Sequence, residues 1–206
     1  MNTMREEERK LREQGYEKIA CIDEVGRGCL AGDVVAAAVI MPIDSEIEGI
    51  KDSKKISEKK REKLYEIIME EAEAVGIGRI PAQQIDDINI RQATLLAMKI
   101  AVTNMKNKQG ETVKPDFILI DAESINVGIP EKAIIKGDAS CYGIAAASIV
   151  AKVYRDRLCR NEWEESFPEY NFKKHKGYGT KEHRENIVKY GPCEIHRRSF
   201  LKNIIK

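Results

Sequence analysis

Three short apolar runs in this sequence each stop at an acid, and no other feature limits the possible folds as much. Lys18–Asp23 leads into Glu24 and the turn Gly26-Arg27-Gly28, Phe117–Asp121 ends on its aspartate, and the weaker run Ala133–Ile135 is closed by Gly137-Asp138. Short apolar runs bounded by glycine read as buried strands. Val34–Met41 is a further run, stopped by Pro42, and the Ala31-Gly32 link predicts a hairpin with the first strand. The longest nearly unbroken apolar stretches, Val34–Met41 and Ile144–Ala151, reach eight residues each, whereas a membrane span needs about 20.

Helical periodicity fills the intervals. Met1–Gln14 reads as a charged, frayed helix. Ser57 is placed to cap a helix running to about Ala74, with Leu64, Ile67, Ile68 and Ala72 on one face. Val75–Ile80 reads as a third strand and Pro81 as the opening of the next helical region. Ile90, Ala93, Ala97, Ile100 and Ala101 recur at helical spacing up to about Lys106. Cys141–Glu165 predicts a long helix whose first turns carry Gly143, Ala145, Ala146, Ala147 and Ser148, small enough to lie close against a sheet. Pro168 ends that region, and Thr180 can cap a last helix to about Tyr190. Strands, then helices, then further strands and helices predict a mixed α/β layer fold. Its parts are a charged extension over residues 1–17 and one domain over 18–206.

Composition narrows the class. With 206 residues, 42% hydrophobic and 33% charged, the chain is neither a disordered polymer nor a membrane protein. Met1–Glu17 lacks the apolar core and cleavage site of a signal peptide, so a cytoplasmic protein is expected. The five cysteines, Cys21, Cys29, Cys141, Cys159 and Cys193, are odd in number and hold no C-x-x-C pair, which argues against disulfide or structural zinc frameworks. They read as small apolar residues in or near a core. The net charge of +1 conceals an asymmetry: residues 171–206 carry +7 and the preceding 170 carry −6. A basic segment on an acidic body suits a polyanionic partner. Lys173, Lys174, Lys176 and the Arg197-Arg198 pair are the residues expected to track phosphates.

A single acid at a strand end is commonly only a turn-former. Several together mean more, because ligands of α/β sheets bind in the crevice at the strands' carboxyl ends. Asp23, Glu24, Asp121 and Asp138 converging there would repel one another unless cations neutralised them. Hard divalent ions such as Mg²⁺ or Mn²⁺ take oxygen ligands, with water and phosphate completing the shell. Two such ions can clamp both the attacking and the leaving oxygen of a phosphodiester displacement. Adjacent Asp23 and Glu24 would point to opposite faces of a regular strand, so both serve one site only if the strand breaks there, which Gly26 allows.

The run Ile22-Asp23-Glu24-Val25-Gly26-Arg27-Gly28-Cys29-Leu30-Ala31-Gly32 closely resembles the D-E-x-G-R-G signature of the ribonuclease HII family. Further matches follow in order: Asp52-Ser53-Lys54-Lys55, Leu119-Ile120-Asp121, Lys136-Gly137-Asp138, Ala145 to Val153 with Arg155-Asp156-Arg157, His175 to Thr180, and His196 to Phe200. The resemblance implies a ribonuclease H-like fold: a central mixed β-sheet flanked by helices, with a helical C-terminal part. It implies a monomeric endonuclease acting on RNA–DNA hybrids and on DNA duplexes that contain ribonucleotides, dependent on Mn²⁺ or Mg²⁺. By the same resemblance Asp23, Glu24, Asp121 and Asp138 are the catalytic, metal-binding carboxylates. Gly26, Arg27 and Gly28 correspond to the segment that recognises the 2′-hydroxyl, Lys54 to a basic residue near the active-site phosphates, and Tyr178 to the tyrosine at the junction of ribonucleotide and deoxyribonucleotide. Ser148 and Lys152, within the matching stretch, join the substrate-binding set.

The chemistry agrees with these roles. The 2′-hydroxyl separates RNA from DNA at a given sugar, and backbone recognition needs the close approach that glycine permits. One position departs from the pattern: Asp33 stands where the family has proline, which adds negative charge near the expected substrate edge and removes a rigid φ. His175, His183 and His196 are too scattered along the chain to predict a metal site and read as phosphate-side or structural groups. Two other readings stay open, a hybrid nuclease without junction preference and a catalytically silent hybrid-binding protein, whose binding needs none of the four acids and survives EDTA.

Overall fold

The computed structural model describes residues 3–50 and 56–205. Strands β1 (Ile19–Val25), β2 (Val34–Ile40), β3 (Ala74–Ile80), β4 (Phe117–Asp121) and β5 (Glu131–Ile134) lie side by side in the order β3-β2-β1-β4-β5. β1 pairs antiparallel with β2 and parallel with β4, while β2–β3 is antiparallel and β4–β5 parallel. The expected hairpin and mixed sheet are both present.

Helices cover both faces. They are α1 (Glu6–Glu13), α2 (Glu58–Glu71), α3 (Ala82–Ile88), α4 (Ile90–Thr103), α5 (Gly137–Ser140), α6 (Tyr142–Leu158), α7 (Glu164–Ser166), α8 (Phe172–His175) and α9 (Lys181–Tyr190). Strand alternation divides the core between them. Ala20, Ile22, Ala36 and Ala38 pack with Ala93, Ala97 and Ala101 of α4. On the other face Ala37 and Val39 meet Ala145, Ala146 and Ile149 of α6 and Leu64 and Ile68 of α2, and Cys21 meets Ile144. Truncating a fully buried aliphatic such as Ile22 or Ile68 to alanine costs about 2–5 kcal/mol.

Several boundaries differ from the sequence reading. Helix α1 is docked rather than frayed: Leu11 is buried, and the buried Arg5 lies over the Tyr142 ring at 3.7 Å while pairing with Glu8 at 3.2 Å. Ser57 does cap α2, accepting from the Lys60 amide, but the helix stops at Glu71 and Ile67 is 39% exposed, leaving Leu64, Ile68 and Ala72 as its core face. Asn89, at φ 67°, separates α3 from α4 and caps the latter with its side chain. β5 starts at Glu131 and excludes Ile135, which is 81% exposed. The expected Cys141–Glu165 helix is α6 up to Leu158, followed by a π-helical turn over Cys159–Trp163 and then α7. The added residue of a π turn swings the helix end, which buries Trp163 with Leu30, Tyr170 and Phe172 in a separate C-terminal core.

Candidate active site

The parallel pairing of β1 with β4 reaches only Ile22↔Ile120, because β4 ends at Asp121, whereas β1 runs on beside β2 to Val25↔Val35. No break separates Asp23 from Glu24, contrary to the sequence expectation. What brings both acids to one place is the loss of the neighbouring strand, which leaves that edge of β1 uncovered. Asp23 is 6% exposed, and its carboxylate accepts from the Glu24 amide at 2.8 Å and from the Ser148 hydroxyl on α6. Burial, then the charges of Glu24 and Asp121, push its pKa well above the usual carboxylate range. Glu24 is also raised, by burial and against the pull of Arg27, with Asp121 adding repulsion. Asp121 is aimed by the Gly137 amide, which donates to its Oδ1 at 2.7 Å. Asp138 follows in the first turn of α5, half-buried, so the same loop carries the fourth acid.

Beside this cluster lies a cleft of about 270 Å³ lined by Glu24, Val25, Gly26, Arg27, Gly28, Ser148, Lys152 and Tyr178. Seven of those residues were singled out from sequence. Arg27 reaches back to Glu24 at 3.4 Å and to Glu123 at 3.2 Å. Lys152 bonds Asp156 at 2.6 Å and lies 5.7 Å from the Tyr178 ring centre. Tyr178 is 39% exposed, and burial of its inner part, with Cys29 beside it, lifts its pKa to about 12. Its hydroxyl therefore stays a donor at any ordinary pH. Lys54, with Asp52, Ser53 and Lys55, lies outside the described residues.

The two glycines of the turn differ. A Cβ on Gly26, at φ +90°, would fall 2.4 Å from Nε of Arg155, whereas a Cβ on Gly28 would meet nothing within 4 Å. Gly26 is thus glycine because an internal side chain occupies that space, whereas a Cβ on Gly28 would face open space at the cleft.

A family model described as Ribonuclease HII matches residues 20–203. The chain belongs to the ribonuclease HII family. It is accordingly a ribonuclease H endoribonuclease, a hydrolase. A family member from Alkaliphilus oremlandii is 61% identical over 191 residues, covering 93% of this chain and 94% of the relative. Among solved structures, the ribonuclease H2 of Pyrococcus horikoshii OT3 is 25% identical with a TM-score of 0.73 over 91% of this chain and 97% of that one. Bst ribonuclease HIII, solved in complex with Mn²⁺, is 18% identical with a TM-score of 0.63 over 84% and 63% of the two chains, and shares the fold.

The residues fit the divalent ion that this family implies. Among the described residues no three His, Cys, Asp or Glu side chains already close into a metal cage. The donor set is nevertheless all oxygen, and three of its carboxylates lie close enough to repel one another. Mg²⁺ keeps several waters and takes one or two carboxylates plus phosphate rather than a complete protein cage.

Sequence reasoning missed how the loop after β1 is held. Arg155, on α6 and wholly buried, donates to the carbonyls of Asp33 (2.8 Å), Ala31 (2.9 Å) and Lys176 (2.7 Å). Arg197, also wholly buried, donates to the carbonyls of Gly32 (2.9 and 2.8 Å) and Arg27 (2.9 Å). The expectation that Arg197 contacts phosphate is therefore overturned, since its fork is consumed by backbone oxygens. Asp33 does not add open charge to the cleft either, for its carboxylate pairs with Arg79 of β3. Bridges Cys29↔Tyr178 and Ala31↔His196 tie the same loop to the C-terminal segments.

The three histidines, far apart in sequence, also meet. His175 stacks on His183 at 4.2 Å, and Nε2 of His183 lies 3.0 Å from Nε2 of His196. His183 Nδ1 must donate to the Tyr178 carbonyl at 2.9 Å, so its Nε2 accepts from His196, whose Nδ1 accepts from the Cys193 amide at 3.0 Å. This ordering requires neutral rings. Burial holds His183 down to about 4 and His196 to about 3.

Proposed function

We propose that this protein hydrolyses the RNA strand of RNA–DNA hybrids and cuts on the 5′ side of ribonucleotides embedded in duplex DNA, leaving 3′-hydroxyl and 5′-phosphate ends. The observation that carries this reading is a cleft in which Glu24, close enough to Asp23 and Asp121 for their charges to repel, faces the Gly26–Gly28 turn and Tyr178. Asp23, Glu24, Asp121 and Asp138 would hold Mn²⁺ or Mg²⁺. When bound, a pair of these ions activates water and stabilises both oxygens of an in-line displacement.

The chain's own residues supply selection and placement. The open backbone at Gly28 can approach a 2′-hydroxyl, and Tyr178, a protonated phenol on the cleft wall, can pack on the next deoxyribose while donating a hydrogen bond. Lys152 places a cation on the phosphate side of the ring. Ser148 orients Asp23 by its hydrogen bond. Water is the nucleophile, and no covalent intermediate forms.

The test is a pair of DNA duplexes of one sequence, differing only by a single 2′-hydroxyl, with products mapped to the nucleotide. Cleavage 5′ of the ribose in Mn²⁺ or Mg²⁺, none in EDTA and none on the all-DNA duplex supports the reading. A site built for a hydroxyl rejects its absence by about 10⁴–10⁵. Equal cutting of both duplexes, or a cut on the 3′ side, contradicts it. Metal-independent binding without any cleavage would identify a silent hybrid-binding protein instead.

A further inference from the structure

We infer that Arg155 is a positioning residue that sets junction specificity, by fixing the distance between the turn that reads the ribose and the loop that carries Tyr178. The inference rests on the function proposed above. The guanidinium is wholly buried, and its donors go to three backbone carbonyls from two segments: Ala31 and Asp33 after the Gly26–Gly28 turn, and Lys176, two residues before Tyr178. The planar fork of arginine holds such a set rigidly, whereas lysine presents one flexible ammonium. Both flanking glycines are shaped to it. A Cβ on Gly26 would collide with Arg155 at 2.4 Å, and one on Gly177 would lie 2.7 Å from the Ala31 carbonyl and 3.4 Å from Nη2 of Arg155. The Leu30 amide, which donates to the Gly177 carbonyl at 2.8 Å, closes the same joint.

Arg155 does not line the cleft and touches none of the four carboxylates through these bonds. Shifting it should leave the metal site intact while the two reading elements drift apart. A hybrid offers a ribose at every step and does not need the Tyr178 loop in register with a deoxyribose. A single embedded ribonucleotide needs both elements at once, and a displacement of about 1 Å in such positioning can cost up to roughly a hundredfold.

The experiment compares kcat/KM on a single-ribonucleotide duplex with that on a continuous RNA–DNA hybrid for wild type and Arg155→Lys. The chain's one tryptophan, Trp163, whose ring lies 5.4 Å from the Arg155 guanidinium, reports through its fluorescence whether the joint has moved. The expected result is a fall of about ten- to a hundredfold in the junction-to-hybrid ratio, an altered Trp163 emission and an unchanged Mn²⁺ concentration for half-maximal hybrid cleavage. Arg155→Gln, which keeps one donor for these carbonyls but loses the fork, should lower the same ratio and serves where Arg155→Lys does not fold. Equal losses on both substrates, or failure of both variants to fold, would make Arg155 a structural brace and overturn the inference. If wild type itself shows no junction preference, the proposed function fails first, and the ratio has no meaning for Arg155.

Discussion

Two buried clusters of titratable groups flank the loop between β1 and β2, and they are finished to different standards. In the C-terminal cluster the ring nitrogens of His175, His183 and His196 find partners, and the cluster stays neutral. At the strand ends, buried Asp23 and half-buried Glu24 lie beside Asp121, with pKa values raised by desolvation and mutual repulsion. A polar cluster that serves the fold closes its hydrogen bonds; one that awaits a charged ligand carries a local deficit. On the function proposed above, the difference assigns the chemistry to the strand-end cluster.

The largest effect separates the two by activity. Asp121→Asn keeps the shape and the acceptor for the Gly137 amide but removes a charge, and cleavage should fall at least about a thousandfold, several kcal/mol of transition-state stabilisation. Near-wild-type turnover at saturating Mn²⁺ would remove Asp121 from the site. His196→Asn should leave Mn²⁺ dependence unchanged, because the histidine cluster contacts none of the acids in these bonds.

A smaller effect separates them by pH in the metal-free protein. The unfolded chain protonates its histidines near 6.5, the folded one only near 4 and 3 at His183 and His196. The unfolded state thus binds more protons below pH 6.5, and the stability these two rings confer, complete above that pH, is lost as pH falls. Between pH 7.5 and 5 wild type should lose about 4 kcal/mol from this source, half from each ring, a drop of roughly 10 °C in melting temperature, and His196→Asn should lose about half as much. Asp23 has the opposite sign. Its folded pKa is raised, so the folded state takes up the proton first and the repulsion is relieved as pH falls. Parallel melting curves for wild type and His196→Asn across this range would erase the comparison.

The smallest effect concerns the basic end. Lys173 and Lys174 are already paired with Glu164 and Glu182, yet both are exposed. Replacing both by glutamine should lower the logarithmic salt slope of substrate binding by at most roughly two. An unchanged slope returns them to ordinary surface.

How much of this was legible follows from the type of signal. β4 was bounded correctly because a continuous apolar run ending in an acid is a local pattern, and Thr180 and Ser57 announced their helices by cap chemistry. The acids and the cleft residues were named through ordered motifs. Arg155 and Arg197 were not given their roles, since a cation satisfied by carbonyls distant in the chain leaves no periodic trace. The one available hint was that Arg155 falls in phase with the buried Ala147 and Ala151 on α6 and with the buried Cys159 just past its end. The histidines looked scattered because their contacts depend on the turn from α8 into α9. The joint use of Asp23 and Glu24 was expected to need a broken strand, because where β4 stops pairing is a property of the sheet and not of β1.

The most direct measurement is the melting temperature of wild type and Asp23→Asn, each with EDTA and with saturating Mn²⁺. If the strand-end carboxylates are an unrelieved charge cluster built for a cation, Asp23→Asn melts above wild type in EDTA. Metal then raises wild type strongly, by about 2.7 kcal/mol at a hundredfold excess over Kd, and the variant little, so the order inverts. A variant that melts below wild type in EDTA, or equal shifts of both proteins with Mn²⁺, would contradict the account.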